Sequence, residues 1–360
     1  MLKLILCAIC IVFLGTGPSQ AQIGYETLNR ALTDGVVIPA YQRMTEAMTG
    51  LEGATEALCA APGPDRLTQA REAFHTAMHT WQMAQPITFG PITGNGRAAR
   101  VEFWPDKNGV AERQVRRALQ AQDPALIADG GIAGKSVALQ NLSTYERIVF
   151  DGGTHAATET PEGRYACALA AQIARFQSRL AAEIFDDWTR PGGFREVVLG
   201  AAGGNAHYTG ADQPATDFLK SLTGTLDIAI QLKLEHPLGR DLAGARPKLA
   251  ENWRSARSLD NIAANLETAQ ALYETAGSFG DLLSAAGAEA LDMGLRQSFA
   301  DVIEMVRGVG VPLHTAVGQA DQRTLILAIV EKLKNLRLVI AGPVADEIGL
   351  IVGFNATDGD

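Results

Sequence analysis

The densest group of residues able to do chemistry lies between Phe89 and Gly109, in the stretch FGPITGNGRAARVEFWPDKNG. Its core places Arg100, Glu102 and Asp106 around a Phe-Trp-Pro wedge. Buried aromatic rings would anchor this stretch while a carboxylate faces a ligand or an arginine. Ordinary structural salt bridges are the alternative, and the local sequence favours them. The stretch shows no helical period, and an irregular connection of this length usually forms a site.

A second candidate is the pair Ser143 and Glu146, which lies on a helix predicted over residues 135–150. Residues three apart on a helix share one face, so the hydroxyl and the carboxylate would point the same way. A carboxylate on an inward face can bind a cation, accept an arginine or act as a general base. A surface glutamate is the commoner outcome for such a position.

The third candidate is the segment WRSARS, which contains Arg254 and Arg257. If the segment is helical, these two arginines share a face with Asn261. Two guanidinium groups with flanking hydroxyls suit the recognition of a carboxylate or a phosphate. Pairing of the arginines with the first half of the chain is an equally good interpretation, and a solvated basic edge is the simplest one.

Histidines offer a weaker metal signal. His75 and His79 are four residues apart and Glu72 lies one turn earlier, a spacing compatible with a metal on a helix. Phe74 and Met78 mark the buried face of that helix, so we predict partly exposed histidines without a metal. The sequence contains no HExxH, GxSxG, glycine-rich phosphate loop or CxxC pair.

The N-terminus indicates export. Lys3 precedes an apolar run over residues 4–14, and Ser19-Gln20-Ala21 places small residues where signal peptidase reads them. We therefore predict cleavage between Ala21 and Gln22 and a periplasmic location. The apolar run is shorter than the roughly 20 residues a bilayer requires, so the mature chain should carry no transmembrane anchor.

Charge and cysteine content narrow the choice of partners. The formal net charge is −9, with 40 acidic against 31 basic residues, which argues against nucleic acid or an anionic membrane surface. Removal of the signal segment would leave Cys59 and Cys167. In an oxidising compartment these cysteines either form a disulfide or remain two separate buried thiols, and the sequence does not favour one over the other.

Helical periodicity dominates the chain, so we predict an all-α fold of two tandem helical bundles with a pocket between them. The predicted units are a signal peptide over 1–21, a first bundle over 22–195 and a second bundle over 196–360 that ends in GFNATDGD. Asp65 is the predicted cap of the helix 67–83. The glycine-rich segments 187–193 and 200–212 are the predicted connection. The other predicted helices cover residues 135–150, 165–185, 214–236, 249–273, 291–306 and 321–340.

Taken together, FGP, R-x-E-FWPD, the helix ending in ERIVF, WRSARSLDNIAANLE and the terminal GFNATDGD resemble the imelysin-like exported proteins. The resemblance spans nearly all of the mature chain. It implies two bundle-like helical repeats, a pocket where the repeats meet and an association with bacterial iron uptake. The family has also been classed as a metallopeptidase, although its fold supports that assignment poorly.

One departure from this family concerns its GxHxxE motif. With the motif's glutamate aligned on Glu146, Asn141 takes the place of the glycine and Ser143 that of the histidine. A serine hydroxyl is a poor ligand for zinc or iron compared with imidazole. Glu146 remains the one metal-ligand candidate, for iron or another divalent metal, and the missing histidine argues against an enzyme.

The sequence therefore predicts a periplasmic, non-catalytic protein associated with iron uptake, which binds a small ligand or metal between its two halves. Components of iron transport are the expected partners. A metallopeptidase and a structural or partner-docking helical module are the alternatives. The residues predicted to form the pocket are Arg100, Glu102, Asp106, Ser143, Glu146, Arg254 and Arg257.

Overall fold

The structure is a computed structural model that describes residues 19–106, 108–151 and 155–351, without the side chains of residues 19–23 and 155. The predicted signal segment up to residue 18 and the terminal GFNATDGD lie outside the described residues, as do the side chains at the predicted cleavage position.

The predicted all-α class is confirmed, because the described part of the chain contains helices and turns and no strand. Short π-helical turns cover Thr33–Val37, Ile228–Glu235 and Ile340–Val344, and a 3₁₀ helix covers Gly90–Gly96. The α-helices are α1 Ser19–Leu32, α2 Ile38–Ala60, α3 Pro64–Ala84, α4 Arg97–Val101, α5 Val110–Ala121, α6 Pro124–Ile127, α7 Leu142–Phe150, α8 Pro161–Thr189, α9 Phe194–Leu199, α10 Asp212–Asp227, α11 His236–Leu238, α12 Ser258–Glu274, α13 Phe279–Ala285, α14 Glu289–Arg307, α15 Leu313–Ala316, α16 Ala320–Val339 and α17 Ala345–Glu347.

Two groups of long helices form the core. In the first half of the chain, α2 packs against both α3 and α8, and α7 packs against α3 and α8. In the second half, α12 contacts α10 and α14, while α16 contacts α10 and α14. Helix α3 also packs along α12 and joins the two groups. The face shared by α3 and α12 therefore determines which polar residues of the two halves meet.

The longest helix, α8, shows why the sequence signals for helices succeed. The Thr160 side chain caps its N-terminus by accepting a hydrogen bond from the Gly163 amide at 3.1 Å, and Pro161 occupies the first turn. Its predicted apolar stripe is buried. The buried residues of the stripe are Leu169, Ile173, Phe176 and Leu180.

Several predicted boundaries are wrong. Helix α3 is preceded by Gly63 at the cap position, and Asp65 lies in its first turn. Helix α7 starts at Leu142, because the buried Gln140 side chain donates to three carbonyl oxygens of the preceding turns. Helix α8 continues into the predicted connection as far as Thr189.

Two stretches differ more strongly from their predictions. The stretch 89–109 contains a 3₁₀ helix and α4, so it is less irregular than its composition suggests. Helix α12 begins only at Ser258, and residues 251–256 form turns instead of helix. Asn252 and Ala256 there have φ of 46° and 58°, a left-handed conformation that interrupts helical geometry.

A disulfide joins Cys59 at the end of α2 to Cys167 in α8, residues 108 positions apart. In the chain-entropy model, a cross-link over such a loop stabilises the fold by roughly 4–5 kcal/mol, and losing a native disulfide commonly costs about 2–5 kcal/mol. We expect the double variant C59A/C167A to unfold at a lower urea concentration, with an unfolding free energy about 2–5 kcal/mol below that of the wild type. Equal urea midpoints for the variant and the wild type would contradict the expectation.

No helix among the described residues is long and apolar enough to cross a membrane.

Candidate functional site

A band of buried polar side chains runs between the two helix groups; we call it the polar seam. Three of its members are glutamates and one is a lysine, and all four are at most 6% exposed. Buried charges are costly unless they are paired or hydrogen-bonded. The seam consists of Gln82, Gln85, Glu102, Glu146, Lys233, Glu251, Asn252, Ser255 and Asn261.

The centre of the seam is an ion pair within the second half of the chain. The Nζ atom of Lys233 lies 2.9 Å from Oε2 of Glu251, and each side chain is 1% exposed. Lys233 also donates to Oε1 of Gln82 at 2.6 Å and to Oε1 of Gln85 at 3.0 Å. Asn261 donates to the same Glu251 oxygen at 2.8 Å. The lysine thereby ties α3 to the π-helical extension of α10.

Glu102 follows the end of α4 and enters the seam beside α3. Its Oε2 accepts hydrogen bonds from Nε1 of Trp81 at 2.7 Å and Nε2 of Gln82 at 3.0 Å, while Oε1 is buried without a partner. Burial, and next the charge of Glu251, raises the pKa of Glu102 to about 8, against the opposing effect of Lys233. Glu102 is therefore mostly protonated at neutral pH.

Glu146 lies on the inward face of α7, whose N-terminus is capped by the Asn141 side chain. Its Oε1 accepts hydrogen bonds from the Ser255 amide at 2.9 Å and the Ser255 hydroxyl at 2.7 Å, and Oε2 accepts one from Asn252 at 3.3 Å. Burial raises the pKa of Glu146, and these hydrogen bonds oppose the shift. Glu146 thus fastens the turn 251–256 to the first half of the chain.

A cleft of about 70 Å³ opens beside Glu146. One wall comes from the stretch after α4 together with α7, and the other from the residues preceding α12. Ser143 contributes a buried hydroxyl that has no hydrogen-bond partner. The lining residues are Phe103, Trp104, Pro105, Asp106, Ala111, Ser143, Glu146, Arg147, His236, Lys248, Leu249, Ala250, Asn252, Trp253 and Arg254.

The seven predicted pocket residues lie in four places, and Arg257 lines a second cavity. Asp106, Ser143, Glu146 and Arg254 line the cleft, whereas Glu102 belongs to the seam. Arg100 lies outside the cleft lining, and its half-buried side chain has a buried Nε without a partner.

Asp106 has a local structural role. Its Oδ1 accepts a hydrogen bond from the Val110 amide at 2.7 Å, and its Oδ2 accepts one from the Ala111 amide at 3.0 Å. The carboxylate therefore accepts hydrogen bonds from amides in the first turn of α5, as acidic side chains at helix N-termini commonly do. The structural contact of Asp106 is therefore with backbone amides, and differs from the salt bridge that the local sequence favoured.

The two arginines of WRSARS do not share a helical face, which corrects the prediction, because this segment is a turn. Nε of Arg254 lies 2.7 Å from Oδ1 of Asp151, and its guanidinium group stacks over the Trp253 ring at 4.4 Å. Arg257 points to another cavity, where its Nη1 lies 3.3 Å from Nδ1 of His75.

The histidines of α3 are half-buried beside this second cavity of about 400 Å³. Burial, and next the charge of Arg257, lowers the pKa of both His75 and His79. Within the described residues no three His, Cys, Asp or Glu side chains come together as a metal-binding group. The neighbouring cation of Arg257 also disfavours a metal ion there.

The residues around Glu146 do not fit a divalent metal. A metal site of this kind needs several anionic or imidazole donors with free lone pairs. Both Glu146 oxygens already accept hydrogen bonds from Ser255 and Asn252, and the position of the family histidine is a serine hydroxyl.

Sequence reasoning missed Lys233 and Glu251, the ion pair at the centre of the seam. Lys233 was detectable, because it lies three residues after Ile230 and seven after Leu226, both in the predicted apolar stripe. A lysine in that register must be buried or must distort the stripe. Glu251 and Asn252 carry no such signal, since their burial depends on contacts with distant helices.

We predict that Glu146 and Ser255 are energetically coupled. Glu146→Ala leaves buried donors unsatisfied and should cost about 1–3 kcal/mol of unfolding free energy. In a double-mutant cycle with Ser255→Ala, the coupling energy should reach about 1–2 kcal/mol, measured by urea unfolding. Ser298→Ala on α14, outside the seam, is the control and should combine additively with Glu146→Ala. Additivity of the Glu146 and Ser255 variants would contradict the prediction.

The family model described as Imelysin matches residues 37–340 of the chain. Comparison with curated proteins found no match.

Two solved structures are similar to the chain over nearly its whole length. An imelysin-like protein from Psychrobacter arcticum 273-4 has a TM-score of 0.75 and 19% identity, covering 92% of this chain and 98% of that one. A putative iron-regulated protein A precursor from Parabacteroides distasonis ATCC 8503 has a TM-score of 0.74 and 16% identity, covering 91% and 96%. At these identities the likeness shows a shared fold.

Proposed function

The chain belongs to the imelysin family, and from this premise we propose that it is an exported, non-catalytic protein of iron acquisition that binds a small ligand in the cleft beside Glu146. The proposed organisation keeps two helical units, over residues 22–195 and 196–360, with the cleft where they meet.

The observation that carries the non-catalytic role is the state of Glu146. A general base must reach a proton on a substrate or on water, and a metal ligand needs a free lone pair. Glu146 uses three of its roughly four acceptor positions for Ser255 and Asn252, which leaves at most one for a metal ion or a proton. Its position supports a role in holding the cleft together.

The link to iron rests on similarity. One related structure is named a putative iron-regulated protein A precursor. Export is supported separately by the N-terminal segment of this chain, with its apolar run and its Ser19-Gln20-Ala21 site.

The test uses the protein purified from the periplasmic fraction of an expressing bacterium. We expect a mature N-terminus at Gln22, no stoichiometric zinc by elemental analysis and no chelator-sensitive cleavage of casein. A screen of melting temperature against iron, zinc, copper and haem measures metal affinity directly, because a ligand selective for the native state raises the midpoint. Transcription of the gene should rise under iron starvation.

Stoichiometric zinc together with proteolysis that a chelator abolishes would overturn the non-catalytic proposal in favour of a metallopeptidase. Unchanged transcription in iron-replete and iron-starved cells would overturn the link to iron. Retention of the protein in the cytoplasmic fraction would overturn export.

A further inference from the structure

The acidic groups of the cleft are already occupied. Both oxygens of Asp106 accept backbone amides of α5, and both oxygens of Glu146 accept donors from Ser255 and Asn252. These contacts use two of the roughly four acceptor positions of Asp106 and three of those of Glu146, so little acceptor capacity is left for a cation. The polar groups of the cleft that remain available to a ligand are mainly hydrogen-bond donors.

Three cationic side chains line the same small space: Arg147, Lys248 and Arg254. Arg147 is 15% exposed, its Nε is buried without a hydrogen-bond partner, and its Nη1 lies 3.6 Å from Oε2 of the exposed Glu112. Burial, and next the charge of Arg254, lowers the pKa of Arg147. Two guanidinium groups close enough to repel each other gain stability when an anion sits between them.

The lining of the cleft also contains a hydroxyl group and a tryptophan ring that contacts two cations. The Ser143 hydroxyl is buried without a partner, one turn from Arg147 on α7. Trp253 carries the Arg254 guanidinium group on its ring, and the Nζ atom of the exposed Lys248 lies 5.5 Å from the ring centroid. Stacking on Trp253 and the 2.7 Å contact of its Nε with Asp151 hold the Arg254 guanidinium group at the rim, so an anion would be bound through its Nη groups.

The volume of the cleft limits the size of an occupant. The cleft measures about 70 Å³. A single water needs about 10–15 Å³, so the cleft holds roughly five heavy atoms. That space suits an oxyanion head such as phosphate or a carboxylate.

We propose that the cleft is a binding site for a small oxyanion, a phosphate or a carboxylate, held by Arg147, Arg254 and the Ser143 hydroxyl, with Lys248 at the entrance. This inference rests on the proposed function and names the class of ligand. Charge-assisted hydrogen bonds from guanidinium groups provide the affinity, and the hydroxyl provides a neutral donor inside the cleft.

The experiment titrates the full-length mature protein with inorganic phosphate and, separately, with acetate. Sodium chloride at matched ionic strength controls for general salt effects. Calorimetry should show saturable one-site binding of at least one probe, and the melting temperature should rise with that probe and remain unchanged with chloride. The stronger probe identifies phosphate or carboxylate as the source.

Variants locate the site. Arg147→Gln and Arg254→Gln should each weaken binding at least about tenfold, and Ser143→Ala about threefold to tenfold. Arg117→Gln is the matched control, since it removes an exposed guanidinium group from the adjacent α5 and should leave affinity unchanged. Because the Ser143 hydroxyl has no partner, Ser143→Ala should fold normally even if an arginine variant does not.

Absence of saturable binding for both probes would overturn the inference, as would an Arg117→Gln variant that loses as much affinity as Arg147→Gln. Neither outcome concerns transcription, export or metal content, so the proposed function would stand or fall on its own tests. Weakened binding in Ser143→Ala and Arg147→Gln with an unchanged control would establish the site.

Discussion

Replacement of Lys233 by methionine is expected to destabilise the protein by about 3–5 kcal/mol, because removing one partner of a buried ion pair leaves the other charge uncompensated. Glu251, at 1% exposure, would keep only hydrogen bonds from Asn261. Gln82 and Gln85 would lose the donor that joins α3 to the second half of the chain. Urea unfolding followed by circular dichroism measures the loss.

A second substitution separates charge from packing. In the Lys233→Met background, Glu251→Gln removes the unpaired charge and keeps an acceptor for Asn261, so about 1–3 kcal/mol should return. Lys220→Met is the matched control, because Lys220 is exposed on α10 and its replacement should change stability by less than about 0.5 kcal/mol. A Lys233→Met variant that behaves like Lys220→Met would show that the buried pair contributes little.

The large destabilisation expected for Lys233→Met comes from the Lys233–Glu251 ion pair, which the sequence did not predict. Helix periodicity located most long helices, since an apolar stripe such as that of α8 records which face is buried. It failed over residues 251–257, where a helical interpretation placed Arg254 and Arg257 together. The turn there requires left-handed backbone at Asn252 and Ala256. Asparagine adopts this conformation more readily than most residues, but alanine rarely does, so the sequence signal is much weaker than that of a glycine.

The individual site residues also differ in whether local sequence or long-range packing determines their positions. Glu146 was predictable through the spacing from Ser143 and the family motif, because both are local features of one helix. Its partners Ser255 and Asn252 were not, since they lie more than 100 residues away and reach α7 only through the packing of the two halves. Glu102 was predicted as a pocket residue, but burial beside Trp81 turns it into an internal acid.

The internal position of Glu102 predicts a stability that falls as pH rises. An unfolded glutamate has a pKa of about 4.3, and burial raises the pKa of Glu102 to about 8 in the folded protein. Between these values the native state binds more protons than the unfolded state, so the unfolding free energy declines with increasing pH. The contribution from Glu102 should be about 1.4 kcal/mol per pH unit, or about 2 kcal/mol between pH 6 and 8, and should level off at higher pH.

Glu102→Gln isolates this effect, because glutamine imitates the protonated acid. Its carbonyl oxygen can accept the hydrogen bonds from Trp81 and Gln82, and its amide replaces the unpartnered Oε1. The variant should match the wild type within about 1 kcal/mol at pH 5 and should be the more stable protein at pH 9. Urea unfolding at pH 5, 6, 7, 8 and 9 measures both curves.

The other charged members of the seam are present in both proteins, so the two curves differ through the carboxyl group at position 102 and its interactions. Glu251 and Glu146 add negative charge and Lys233 opposes them. Glu183→Gln, at an exposed position of α8, removes the same charge without burial and should run parallel to the wild type at every pH. Parallel curves for Glu102→Gln and the wild type would mean that Glu102 is ionised throughout this range, and that Lys233 compensates two buried carboxylates at once.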